Sequence, residues 1–325
     1  MSNVTIKILS QRSSAHSGRL MLDFAIVPDG EMWVVGGRGR NVLFRSADGS
    51  EFRADPHQAL MKDHLDGASG FRTISVFRDE IWICGEWGWV GRSRDLGETW
   101  TRVPTGVRNC CWSLAHDEHG DVWATADNGW VGYCTDGETW EPVQRGASCS
   151  DEETWKNQHG LPGGIAWCEA SPLGILLPAG ERLLIGNRGT VEITGLQAPA
   201  KVTHAIVTQS GCIVATTHAG VFRSDDGGET FAKATLTGSR KRGTVLHRVH
   251  AFPDGALLAT GDDTLLCSED DGRSFEHVSH RLFPNDERNT SLYAMGAHEG
   301  GILVGGEEGL IVRVERSPYL DLELD

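Results

Sequence analysis

Three observations predict that this 325-residue chain is all-β: a single seven-bladed β-propeller of four-stranded antiparallel blades. A short apolar strand ending in a small or polar residue recurs seven times. A tight acidic hairpin recurs five times, in a unit of roughly 40 to 48 residues, the size of a propeller blade. Glycine is abundant, at 41 residues against 11 prolines, as a fold with many tight turns requires.

The recurring strand is read as strand b, second from the axis. Its copies are EMWVVGG from Glu31, EIWICGE from Glu80, DVWATAD from Asp121, RLLIGN from Arg182, CIVATTH from Cys212, ALLATGD from Ala256 and GILVGGE from Gly301. A polar turn and a third strand follow, leading into the hairpin. The hairpins read SADGSEF from Ser46, SRDLGETW from Ser93, CTDGETW from Cys134, SDDGGETF from Ser224 and SEDDGRSF from Ser268. In such a hairpin the Ser and Asp side chains accept hydrogen bonds from backbone N–H groups that the ladder leaves unpaired. Glycine takes the positive φ. The closing Trp or Phe is expected to fold back as an apolar plug between neighbouring sheets. Asp48, Asp95, Asp136, Asp226 and Asp270 are therefore assigned to folding.

These hairpins resemble the Asp-box, or BNR-repeat, superfamily. The unit GEWGWVGRSRDLGETWTRV at 85–103 is similar to a blade of photosystem II assembly-factor-like propellers. The resemblance spans most of the chain and implies a binding or scaffold role. It also implies that the boxes are structural and lie away from ligand sites. Sialidases carry the same boxes, but they use six blades, and their early R-I-P motif is absent here.

The blades are placed at 18–56, 70–104, 109–145, 164–200, 202–237, 244–280 and 290–316 of one domain. Repeats four and seven lack the acidic hairpin. The N-terminal VTIKIL, residues 4–9, alternates with a strand period and is expected to supply the outer strand of blade seven, closing the ring and removing a sheet edge. If repeat four is an insertion, the count falls to six. Two long links, 54–71 and 145–164, read as lids over a mouth of the ring.

The formal net charge of −15 argues against nucleic acid or an anionic membrane as the main partner. No apolar run is long enough to span a bilayer, and the N-terminus reads as neither signal nor anchor. Eight scattered cysteines without a CxxC pair read as reduced core thiols of a cytoplasmic protein. A monomer is expected.

By fold-level analogy, a ligand would meet the axial face formed by the b–c turns and inter-blade links. The turns place Arg38, Glu86, Trp87, Asp127, Asn187, Arg188, His218, Asp262 and Glu307 there. The starts of the innermost strands add His204, His247 and Tyr293, with Arg72, Trp112 and Arg248 beside them. This mouth is mixed in charge, mainly acidic, with flat indoles for stacking. The reading is a non-catalytic propeller that recognises a protein partner or a small polar or carbohydrate ligand. The alternative is a propeller enzyme, a metal-assisted lyase or a glycoside hydrolase, working at the same mouth. No cofactor is required. A divalent cation there would draw on the His and carboxylate set. No nucleophile elbow or phosphate loop is present.

Overall fold

The computed structural model describes residues 4–10, 20–37, 42–49, 51–54, 70–108, 110–127, 130–145, 167–238, 245–278, 290–298 and 301–316. Seven sheets, each built on four antiparallel strands, stand around an axis. In blade 2 the strands run outward as Phe71–Phe77, Glu80–Gly85, Val90–Ser93 and Thr101–Arg102. The other blades repeat this order. Blade 7 is completed by Val4–Ser10, which pairs antiparallel with Ile311–Arg316. The N-terminal strand therefore closes the ring as expected. The proposed lids fall largely outside the described residues.

Blades 4 and 6 are five-stranded. Gln144–Arg145 and Thr235–Thr237, which lie in the links before those blades, add parallel outer strands. Blade 4 also corrects the sequence reading. Its sheet runs from Glu169–Ser171 inside, through Gly174–Ala179 and Arg182–Asn187, to Thr190–Ile193. RLLIGN is thus third from the axis, and GILLPA is strand b. Both are short apolar runs, and periodicity cannot rank two such strands when the acidic hairpin that marks the register is missing.

The core lies between blades. Trp33, Val35 and Leu43 of blade 1 pack on Phe71, Ile74, Ile81 and Ile83 of blade 2. The same arrangement closes blade 7 on blade 1 through Leu303, Ile311, Met21 and Val34. The deepest plugs are Trp33, Trp82 and Trp123 on strand b, all fully buried. Their indole N–H groups donate to Glu31, Glu80 and Asp117. The hairpin aromatics sit further out: Trp100 and Trp140 are half-buried and pack on Trp33 and Trp82 at 6.5 and 6.4 Å. Only Phe275 of that set is fully buried. In blades 2 and 3 the deeper plug is therefore the strand-b indole of the preceding blade, Trp33 or Trp82, with the hairpin Trp packed against it. Phe52, Phe231 and Phe275 instead pack into the inter-blade cores without such an indole.

The hairpins themselves are built as their chemistry predicts. Ser93 Oγ donates to Asp95 at 2.8 Å and accepts from Gly97 N at 2.8 Å. Asp95 accepts from Thr99 N and Oγ1. Ser224, Asp226 and Thr230 repeat these bonds, as do Ser268, Asp270 and Ser274. Gly97 sits at φ +83, where a Cβ would meet the Trp33 ring at 2.5 Å. Both the turn and the close approach therefore exclude a side chain there.

Candidate functional site

One local device shapes the axis. The register of the innermost strand slips at Met21/Asp23, Phe71/Thr73, Cys111/Ser113, Val202/His204, Leu246/Arg248 and Leu292/Ala294. A bulge of this kind re-aims a side chain. The extra residues include Arg72, Trp112 and His247, and each reaches a carboxylate just beyond the end of its own strand b. Arg72 pairs with Glu86 at 2.7 Å. Trp112 Nε1 donates to Asp127 at 2.5 Å. His247 Nε2 meets Asp262 at 2.8 Å, and Ser291 Oγ donates to the same oxygen at 2.6 Å.

The b–c face is thus a rim of fixed pairs. Glu86, Trp87 and Asp127 lie on the blade 2–3 arc, where Arg72 also stands 5.0 Å from the Trp112 ring. His218, His247, Asp262 and Tyr293 form a second arc, with ring separations of 6.3 Å for His218–His247 and 4.5 Å for His247–Tyr293. The His247 hydrogen bond holds the Asp262 carboxyl below its ordinary range. Burial pushes His218 down, and the His247 and Lys201 charges add to this. Burial also pushes Lys201 down to about 8, against the pull of Asp127. Glu307 opens the corner turn Glu307–Gly309 of blade 7, as Glu86 opens Glu86–Gly88 of blade 2.

Four predicted residues, Asn187, Arg188, His204 and Arg248, stand away from this rim in the described structure. Arg38 lies outside the described residues. Asn187 and Arg188 follow the corrected blade 4 register. Asn187 Nδ2 donates to Leu173 O in the turn between the two inner strands, so both stand at the opposite face. His204 follows its strand's bulge and lines the axial channel.

That channel opens at the a–b turns, opposite the predicted face, and encloses about 800 Å³. At its inner end Arg248 of blade 6 pairs with Asp23 of blade 1, donates to Met295 O of blade 7 at 3.2 Å, and lies 4.8 Å from the Trp167 ring. Asp23 also accepts from Ile74 N of blade 2 at 3.1 Å. Burial pushes Asp23 up, against the Arg248 charge and hydrogen bonds. Glu169 meets His204 Nε2 at 3.2 Å. Val249 N donates to His204 Nδ1 at 3.4 Å, which assigns the ring proton to Nε2. Burial opposes ionisation of Glu169, yet the His204 bond and neighbouring charges bring it below its usual range. Burial pushes His204 and His250 down, and His116 down to about 4.

Sequence reading missed Asp23, Glu169, His116 and His250. Each belongs to an ordinary inner-strand pattern, and their proximity depends on ring closure. Among the described residues no group of three or more His, Cys, Asp or Glu side chains is arranged to hold a metal ion. Among them, too, no helix is long and apolar enough to cross a membrane. The seven described cysteines are free thiols.

Fold and axis together define a seven-bladed β-propeller with a paired polar rim at one mouth and an open channel at the other. No family model and no curated protein sequence matches the chain. Solved structures do. The chain is similar to YCF48 bound to D1 peptide, at 17% identity and a TM-score of 0.67, covering 98% of this chain and 96% of that one. It is similar to an inactive virginiamycin B lyase from Staphylococcus aureus with quinupristin, at 12% identity and a TM-score of 0.71, covering 96% and 99%. The WD40 propeller domain of Doa1 aligns at 12% identity and a TM-score of 0.67, covering 98% and 99%. At these identities the likeness establishes the propeller fold.

Proposed function

We propose that this chain is a non-catalytic binding propeller that holds a protein partner against the face of its b–c corners, in a cytoplasmic setting. Trp87 carries the reading. It projects from the blade 2 corner with 62% of its surface exposed, at φ 61, ψ 29. A bulky residue in that region is strained by about 1–3 kcal/mol, and nothing among the described residues rewards an exposed indole. An aromatic anchor beside a carboxylate already fixed by Arg72 is the arrangement of an interaction hot spot. The peptide bound by the structurally similar YCF48 supports a protein segment as the occupant.

Affinity capture from the native host with wild-type protein should retain a partner that Trp87→Ala does not. Calorimetry with that purified partner should then show a loss of about thirtyfold. Equal binding by the two proteins removes this reading.

One observation favours a second reading. His247, oriented by Asp262 and packed against Tyr293, has the form of a positioned acid–base group. Under that reading His247→Ala abolishes a turnover that Trp87→Ala leaves measurable.

A further inference from the structure

The rim reading leaves the opposite mouth unused, and the channel there is chemically organised. Asp23 and Arg248 neutralise one another at its inner end. The Glu169–His204 pair stands on the wall. Both ring nitrogens of His204 are engaged, one by Glu169 and one by Val249 N, so this imidazole orients the carboxylate and has no free nitrogen to offer. Burial keeps His250 and His116 from taking a proton near neutrality. Among the described residues of the inner wall, Glu169 is thus a carboxylate whose direct partner is an imidazole already engaged at both nitrogens, not a fixed cation.

One buried polar atom adds an independent sign. His116 is 6% exposed, is bonded at Nδ1 to Ser75 Oγ at 2.7 Å, and leaves Nε2 without a partner among the described residues. It lines the channel toward the mouth, stacked on Phe77 with ring centroids 5.6 Å apart. Buried polar atoms are normally satisfied, and when Nδ1–H donates to Ser75 the remaining Nε2 accepts from a donor in the channel. The mouth is otherwise apolar: Ile26 is 45% exposed there, Phe77 and Pro172 also line it, and Asp117 and Glu118 stand at the edge.

We propose that this channel is a second binding site, for an organic cation made of an alkyl stem and one ammonium or guanidinium head. The head pairs with Glu169 in the inner chamber, where the imidazole nitrogen of His250 offers a further acceptor. The stem lies along Ile26 and Phe77 at the mouth, and Asp117 and Glu118 raise the local concentration of cations. The head belongs either to a free amine or to a lysine or arginine side chain of a protein. The inference is independent of the partner face, because it uses none of that face's residues.

Titration of the whole chain with butylamine and butylguanidine, followed by calorimetry and by the imidazole resonances of His204 and His250, tests this. Butanol and butyrate serve as controls. Saturable binding of the amines and not of the controls is expected, with those resonances shifting. Glu169→Gln keeps the acceptor for His204 and removes the charge, and should weaken binding by about tenfold or more. A short glycine-flanked lysine peptide distinguishes the sources. If the amines bind and the peptide does not, the ligand is a free cation. If the peptide binds as well, the site takes a side chain. If Glu169→Gln fails to fold, the wild-type resonances alone decide. Absence of amine binding, equal binding of butanol, or unchanged affinity in a folded Glu169→Gln variant overturns the proposal.

Discussion

The hairpins at the outer edge and the strands around the axis solve the same problem, holding polar groups in a fixed place, by opposite means. In the hairpin at Ser93 the bonds join residues two to four apart, and the same set recurs at Ser224 and Ser268. At the axis, Arg248 and Asp23 are 225 residues apart in the chain, and the Glu169–His204 and Ser75–His116 pairs likewise join different blades. The outer edge is a repeated local solution. The axis is a single object assembled from seven different strands. Damage to a hairpin should therefore be modest and alike from blade to blade, whereas damage at the axis should be large and specific to its position.

The sharpest way to break this comparison is Arg248→Met. It leaves Asp23 buried without its cation, and urea denaturation should show a loss of about 3–5 kcal/mol. The double variant Asp23→Asn/Arg248→Met should recover much of that loss, since the cost lies in the stranded charge. A small effect of the single variant would place the axis on the same footing as the hairpins.

The next effect is a pH dependence. His116 takes a proton near pH 6.5 when free, and only near about 4 when folded. The unfolded chain therefore binds the extra proton between those values. The stabilisation is fully present above pH 6.5 and is lost as the pH falls toward 4, up to roughly 3 kcal/mol for this residue. The lowered His204 and His250 act in the same direction. Urea midpoints measured from pH 7 to pH 4 should fall, and His116→Gln should flatten the slope.

The hairpins come third. Ser93→Ala removes the acceptor of Gly97 N and a donor to Asp95, and should cost about 1–2 kcal/mol. Ser224→Ala and Ser268→Ala should match it to within about 0.5 kcal/mol, because the bonds are the same. Unequal costs would show that blade context outweighs local chemistry. The smallest effect on stability belongs to Trp87→Ala, within about 0.5 kcal/mol, since the indole is mostly exposed. Its consequence should appear in partner binding.

The same contrast explains what could be read in advance. The hairpin at Ser93 announces itself because every bond it makes is short-range, so the residues that cooperate are neighbours in the chain. Strand b of six blades was legible for a similar reason: each copy stands at a fixed offset from a turn. Blade 4 was misread by one strand because its acidic hairpin is absent, and Asn187 and Arg188 were carried to the wrong face with it. Arg72, Trp112 and His247 were seen as the starts of inner strands. The bulge that turns each toward its carboxylate has no mark in the residue pattern.

Sequence alone determined the architecture: a ring of repeated four-stranded units, a closing strand from the N-terminus, and hairpins whose Ser, Asp and Gly satisfy their own backbone; that repeat four is a full blade was settled by its sheet. These follow from local geometry and from burial of one apolar pattern repeated along the chain. Tertiary structure decided everything at the axis. It chose which carboxylates are paired, which imidazoles stay neutral and which mouth is open, because charge and burial there arise between strands that meet only once the ring has closed.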